Sequence, residues 1–465
     1  ILPGNTLAFK YANGSAIDFG VSNKIVNDLS YANITDPSGN LVIAIGGTPS
    51  FNFSDGVLGI RYGIQPETIS GYSSGELYIR GTDLGSTSRF AIFGPTNSTN
   101  FQIAEIETAT ISSINYLYVL SNNGDAWTYE WWTAQNTVLF TIFNVLDYSI
   151  VTQKEFAFGT GNVAVGMGFD RDSYWGDIYI AVDVNGGESV QLIKTQSDGT
   201  LVWTKKITHP TSTKLFTSSI ICNSQSTPSY VYIALKLLDY VTSGTLGSYI
   251  VNFDTDIGNV VWQQYIRQTD KILRVTSLAL DLHSYNTNKI FAGVQRVDST
   301  SYIGDLLLLE LDRTNGLITN NTIYNITVDW TSSYDYDWPF LLSMGGSSGY
   351  NYKIFCAYNN YIFDYNGTSF RMELYDTVDY ATDPTYTGRP RIQNIYAVGT
   401  NAYISGTYGG SVHPSDITYL IKIDTYGTPL YQFQTNAQSS YGLPSNLLTV
   451  NTSTSNCLLY TSDAA

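Results

Sequence analysis

Apolar positions along the chain come in short runs, and no segment keeps a 3.6-residue apolar period long enough to predict a helix. The runs instead read as strands of a largely buried sheet: "LVIAIGG" (41–47), "LYIRGT" (77–82), "YLYVLSN" (116–122), "IYIAVDV" (178–184), "VYIALKL" (231–237), "IFAGVQRV" (290–297), "IFCAYNN" (354–360) and "AYISGTYG" (402–409). After most of them comes a further apolar run, a Gly-containing turn, and a run that often carries Trp or Tyr near its start; "RFAIFGPTNSTNFQIAEI" and "VLFTIFNVLDYSIVTQ", between Gly56 and Gly199, are degenerate copies. That order predicts a β-hairpin following each strand.

The hairpins repeat. "IKTQSDGTLVW" (193–203) aligns without a gap on "IKIDTYGTPLY" (421–431), and "VNFDTDIGNVVW" (251–262) and "LELDRTNGLIT" (309–319) share the turn positions. Looser copies are "FKYANGSAI" (9–17), "FNFSDGVLG" (51–59) and "IFDYNGTSF" (362–370). The turn glycines are Gly14, Gly56, Gly199, Gly258, Gly316, Gly367 and Gly427, and from Gly199 onward they lie 59, 58, 51 and 60 residues apart. With an apolar strand before most of the named runs, the unit is four strands. Four-stranded units at this period predict an all-β chain, a β-propeller of seven or eight blades occupying residues 1–456. Eight units follow a lone hairpin at 7–19, and "LPSNLLTV" near the C-terminus reads as the first strand of one more. The hairpin is expected to complete that blade, so that N- and C-terminal strands close the ring together. Two stacked sheets or a longer array are the competing architectures.

The hairpin pattern resembles the PQQ-like and SBBP-type propeller repeats, whose unit runs Asp-x-x-x-Gly-x-x-x-Trp. Asp254, Gly258 and Trp262 match it, Asp312 and Gly316 match its first half, and Gly199 and Trp203 its second, with Thr195 at the Asp position. The resemblance implies that Trp203 and Trp262 dock neighbouring blades. It implies no activity: the quinoprotein enzymes also need a calcium site, a catalytic Asp and, in many members, adjacent cysteines, and this chain has no adjacent Cys pair.

Composition narrows the function classes. Net charge is −16 with no Lys/Arg-rich run, which argues against nucleic acid and anionic membranes as partners. No run approaches the ~18 apolar residues of a membrane-spanning helix. Charged residues make up only 13% of the chain, and Tyr, Gly, Ser, Thr and Asn take their place, as strands and tight turns require. Ile1 at the start points to a processed chain or a fragment.

Candidate chemistry is thin. His209, His283 and His413 fall in different units without metal-ligand spacing, and no Gly-x-Ser-x-Gly elbow occurs. No cofactor and no metal is expected. "DVNGGE" (183–188) and "YDYDW" (334–338) offer carboxylates to calcium, or are a plain turn and loop; "WTYEWW" (127–132) offers a sugar-stacking surface, or is blade packing. Asn13, Asn33, Asn52, Asn97, Asn320, Asn325, Asn366 and Asn451 stand in Asn-x-Ser/Thr, about as many as composition alone supplies. None falls between Asn97 and Asn320. Cys222 and Cys356 lie in apolar runs of different units and are expected not to pair.

The last nine residues, Cys457 to Ala465, resemble a translated transposase sequencing adapter. The natural sequence is then expected to diverge near Asn456, and Cys457 is discounted. Together these readings point to a non-enzymatic, extracellular or cell-surface glycoprotein, a self-associating structural or adhesive subunit of a fibre or coat. The alternative is a carbohydrate-binding or carbohydrate-processing propeller.

Overall fold

The computed structural model places 34 strands between residues 7 and 459. Loops and side chains are described for 104–122, 137–144, 151–159, 162–172, 176–209, 214–222, 230–237, 247–280, 289–330, 339–345, 354–364, 392–406 and 421–428, a few single positions excepted. Among the described residues there is no helix, and the strands form seven antiparallel-based sheets. The fold is a seven-bladed β-propeller.

Four blades are plain four-stranded units, each running from its inner strand outward. Blade 2 holds Phe101–Ile111, Ile114–Asn123, Thr137–Asn144 and Ile150–Ala157. Blade 3 holds Ala164–Arg171, Ile178–Val184, Ser189–Thr195 and Leu201–Ile207. Blade 4 holds Lys214–Asn223, Tyr230–Leu238, Ser248–Asp254 and Val260–Ile266. Blade 5 holds Lys271–Leu280, Lys289–Asp298, Ile303–Asp312 and Ile318–Asp329. Blade 6 begins with Leu341–Gly345 and ends with Arg371–Asp376, and blade 7 runs from Arg391–Val398 to Pro429–Asn436.

Blade 1 closes the ring. Its inner strand is the C-terminal Leu448–Thr454, paired antiparallel with Val57–Tyr62, and Ser74–Gly81 and Thr87–Phe93 follow outward. Leu448–Thr454 lies against the inner strands of both blade 7 and blade 2, so the circle of seven inner strands is complete. The hairpin at 7–19 does not share this sheet. A hairpin brings two strands of its own and fits an outer edge, whereas the inner position admits one strand; Leu7–Tyr11 accordingly pairs with Arg371–Asp376 on blade 6. The unit expected around 41–59 is no blade either. Leu41–Ile45 and Tyr31–Thr35 add to the outer edge of blade 1, which brings the count from eight to seven.

Burial follows the sequence pattern. The second strand of blade 3, Ile178–Val184, is buried at all of its positions, as expected of a strand covered on both faces. Apolar clusters join successive blades: Phe140 with Ile180, Leu192 with Ile233, Tyr232 with Leu309, Phe291 with Cys356, and Phe355 with Ile404. The core is thus a set of blade-to-blade seams. Inner strands of blades 3, 4, 5 and 7 each carry a register shift at matching places (166/168, 217/219, 275/277 and 392/394). Such bulges increase local twist, which suits radial packing.

Candidate interaction surface

In blades 3, 4, 5 and 7 the turn before the outer strand is built by its own residues. Asp254 accepts backbone N–H bonds from Asp256 (3.0 Å), Ile257 (2.9 Å) and Asn259 (3.2 Å), and Asp424 does the same for Tyr426 and Thr428 (2.8 and 2.7 Å). This is the local mimicry of a backbone turn that Asp provides. Where blade 3 has Thr195, Asp198 accepts from Thr200 N–H instead (2.8 Å). Gly199, Gly258, Gly316 and Gly427 all sit at φ between 68° and 80°. Gly14, Gly56 and Gly367 lie outside the described residues.

Four residues past the turn glycine, the side chain reaches the next blade. The Trp203 indole N–H donates to the Thr255 carbonyl (3.2 Å), and that of Trp262 to the Arg313 carbonyl (2.9 Å). Thr255 and Arg313 each follow the turn aspartate of the next blade. The ring of Trp203 lies under Gly258, and that of Trp262 so close under Gly316 that an added Cβ would stand 2.5 Å from it. Trp262 is buried and Trp203 half-buried. Blade 5 has Asn320 at this place, exposed, its side-chain amide donating to Glu310 (2.9 Å).

Polar groups staple the seams from within. The Asn122 side chain exchanges two hydrogen bonds with the Gly166 backbone, and Asp170 accepts from Cys222 N–H (2.7 Å). Asp183 is fully buried and accepts from the Thr217 hydroxyl (2.7 Å) and backbone N–H; burial nevertheless pushes its carboxyl up to about 7. The calcium reading of "DVNGGE" therefore separates: Asp183 is committed inside a seam, while Glu188 is exposed on the turn beside Asn185. Arg171 faces Glu107 (3.8 Å), and Lys194 pairs with Asp177 (2.8 Å) while donating to Thr255 O. Sequence did not announce these pairs: Lys194 is a lone charge in an apolar run, and the partners Glu107 and Arg171 lie in different blades, far apart along the chain.

Among the described residues no group of three or more His, Cys, Asp or Glu is placed to hold a metal. His209 lies beside Tyr249 (ring centroids 6.0 Å); His283, His413, "YDYDW" and "WTYEWW" fall outside the described residues. Cys222 and Cys356 are buried and not joined by a disulfide. Asn325 is exposed like Asn320; Asn33 and Asn451 lie in strands, and Asn13, Asn52, Asn97 and Asn366 are not described.

The rim exposes apolar residues among polar ones such as Gln153, Lys154, Lys206 and Gln263. Val151, Leu201 and Val260 are 52–54% exposed, and Val202, Val261 and Ile257 are exposed beside them. They stand at the start of the outer strands of blades 2, 3 and 4 or in the turn before, and Leu317 and Ile318 continue the belt on blade 5. Exposed apolar residues repeated at the same place on neighbouring blades make this rim a candidate interaction surface. In sequence these pairs read as ordinary strand residues, so the belt was not legible there.

No protein-family profile matches the chain, and no curated protein matches it. Among solved structures it is similar to the β-propeller domain of the Trilobed protease from Pyrococcus furiosus, at 8% identity and TM-score 0.40, covering 86% of this chain and 95% of that one. It is similar to an ancestral GH74 enzyme at 11% identity and TM-score 0.35, covering 85% and 60%. The Malassezia sympodialis allergen Mala s 1 follows at 11% identity and TM-score 0.34, covering 62% and 83%.

Proposed function

We propose that this propeller is a non-enzymatic, extracellular, glycosylated subunit that associates with copies of itself in a surface fibre or coat. The observation that carries the reading is the apolar belt on consecutive outer strands, which costs solvation free energy unless another surface covers it. The Asp, Gly and Trp geometry of the blade turns supports a PQQ-like repeat type for the scaffold, with Trp203 and Trp262 as docking residues. Light scattering and negative-stain microscopy of the purified chain test the reading. Concentration-dependent growth into particles of many copies is expected; a monomer at every concentration sinks it.

A carbohydrate-binding reading rests on one cluster. Tyr249 and Tyr265 stack at 4.6 Å, with Arg267 over the second ring at 5.5 Å and His209 beside the first. Sugar-array binding lost in Tyr265→Ala would favour it; an array with no signal would remove it.

A further inference from the structure

The N-terminal residues follow the rim of the ring. Leu7–Tyr11 pairs with the outer strand of blade 6, from Leu7 opposite Asp376 to Tyr11 opposite Met372, and Ala16–Ile17 lies outside it. Lys24–Ile25 then runs parallel to the outer strand of blade 7, Lys24 opposite Phe433. Leu41–Ile45 meets the outer strand of blade 1 at Ala44 opposite Phe90, with Tyr31–Thr35 beyond. The strands between residues 7 and 45 therefore form an arm that lies on three successive outer edges.

The covering ends at blade 1. Blades 2, 3, 4 and 5 end at their fourth strand, with no further strand paired outside it among the described residues. An open edge offers a row of N–H and C=O groups to any extended chain. On blade 5 that edge carries Asn320 and Asn325, both exposed in Asn-x-Ser/Thr, where a glycan would obstruct it. Blades 2, 3 and 4 carry no such sequence, and they hold Val151, Leu201, Val202, Ile257, Val260 and Val261. Three open edges with exposed apolar residues thus continue the arc of the three covered ones.

We infer that the outer edges of blades 2 to 4 are the docking site for the residue 7–45 arm of a second copy of this chain. The inference rests on the self-associating reading above and names its contact. Two observations choose the occupant. The arm already lies on the same class of edge, and beyond blade 6, where five residues pair, its hold is slight: two residues pair on blade 7 and one on blade 1, against open strands of seven and eight residues on blades 2 to 4. Charge also permits the approach. The chain as a whole carries −16, which keeps copies apart, yet these three outer strands hold Lys154, Lys205 and Lys206 against Glu155 alone. Arm and edges are different surfaces, so the contact is heterologous, and one copy's arm on the next copy's rim propagates into an open filament.

The test locks the arm at home. In a Cys457→Ser background, Lys10→Cys with Glu373→Cys places two thiols at directly paired positions of arm and blade 6. Oxidised, this chain is expected to stay at the mass of one copy; reduced, the same chain is expected to assemble as the parent does, which controls for misfolding. Val202→Glu with Val261→Glu is expected to reduce assembly at least tenfold with the arm unlocked. Oxidised chain that assembles like the parent overturns the arm as occupant and leaves the fibre reading standing. Assembly that resists the lock yet is lost with the two glutamates assigns the belt to another surface of the second copy and also overturns it. A parent that stays monomeric overturns both.

Discussion

Asp183 shows how one residue sets a pH dependence. Its carboxyl lies wholly inside the seam between blades 3 and 4, and burial raises its folded value from 3.8 to about 7 despite the bonds from Thr217. Between those values the folded chain keeps a proton that the unfolded chain has released. Stability from this group is therefore full below about pH 4 and lost as pH rises through about 7, roughly 4 kcal/mol at most over that interval. Asp183→Asn keeps an oxygen for the Thr217 donors and is expected to flatten melting temperature against pH between about 4 and 7. An unchanged slope would assign the dependence to other groups. The tryptophans separate at the same scale. Trp262→Ala should cost about 3–5 kcal/mol, as for a buried aromatic, and it takes the indole donor from the Arg313 carbonyl. Trp203→Ala should cost less, because that ring is half-buried and Thr255 O keeps its bond from Lys194. Denaturant melts of the two variants compare them; equal losses would contradict the difference in burial.

The hairpin turn was the part of the fold most open to reading from sequence, because its chemistry is local. An Asp whose side chain mimics a turn, a Gly at positive φ and a Trp four residues on form one device, and three residues at fixed spacing announce it. The number of blades was less legible. Tyr31–Thr35 and Leu41–Ile45 carry the same apolar signal as blade strands, and only pairing, which spacing does not encode, puts them on an outer edge. The belt was hidden for a related reason: Leu201 and Val202 look like the buried strand beginnings of other blades until the missing neighbour is seen. The device makes its own prediction. Gly316 has φ of 72° and a Cβ there would stand 2.5 Å from the Trp262 ring, so Gly316→Ala carries both backbone strain and a clash. A loss of about 2 kcal/mol or more is expected. Removing the ring relieves the clash, so the loss should shrink by about 1 kcal/mol or more in a Trp262→Ala background. Strict additivity in that double-mutant cycle would mean the ring and the turn do not meet.

At the scale of the whole molecule, closure and surface are decided by the two ends of the chain. The inner strand of blade 1 comes from Leu448–Thr454, while the arm from 7 to 45 decorates the rim. Sugars bear on the rim because a bulky hydrated chain cannot be desolvated cheaply, so occupied sites and a protein contact exclude one another. The Asn-x-Ser/Thr positions are absent from blades 2, 3 and 4, the blades whose open outer edges hold Val151, Leu201, Val202, Val260 and Val261 exposed. Asn320 and Asn325 then mark the border, exposed on the outer strand that follows. If the fibre reading holds, glycopeptide mass spectrometry should find sugars at most of Asn52, Asn97, Asn320, Asn325 and Asn366, while Asn13 and Asn33, which lie within the docking arm, should be bare in the assembled particle, and a map of that particle should place the rim side of the contact within residues 100–318. Asn451 differs, because it stands opposite Val57 in the inner strand that lies against the inner strands of blades 7 and 2; it is expected to be unmodified. Bare asparagines throughout, or an interface centred on Asn320 and Asn325, would break the link between the sequon-free sector and assembly.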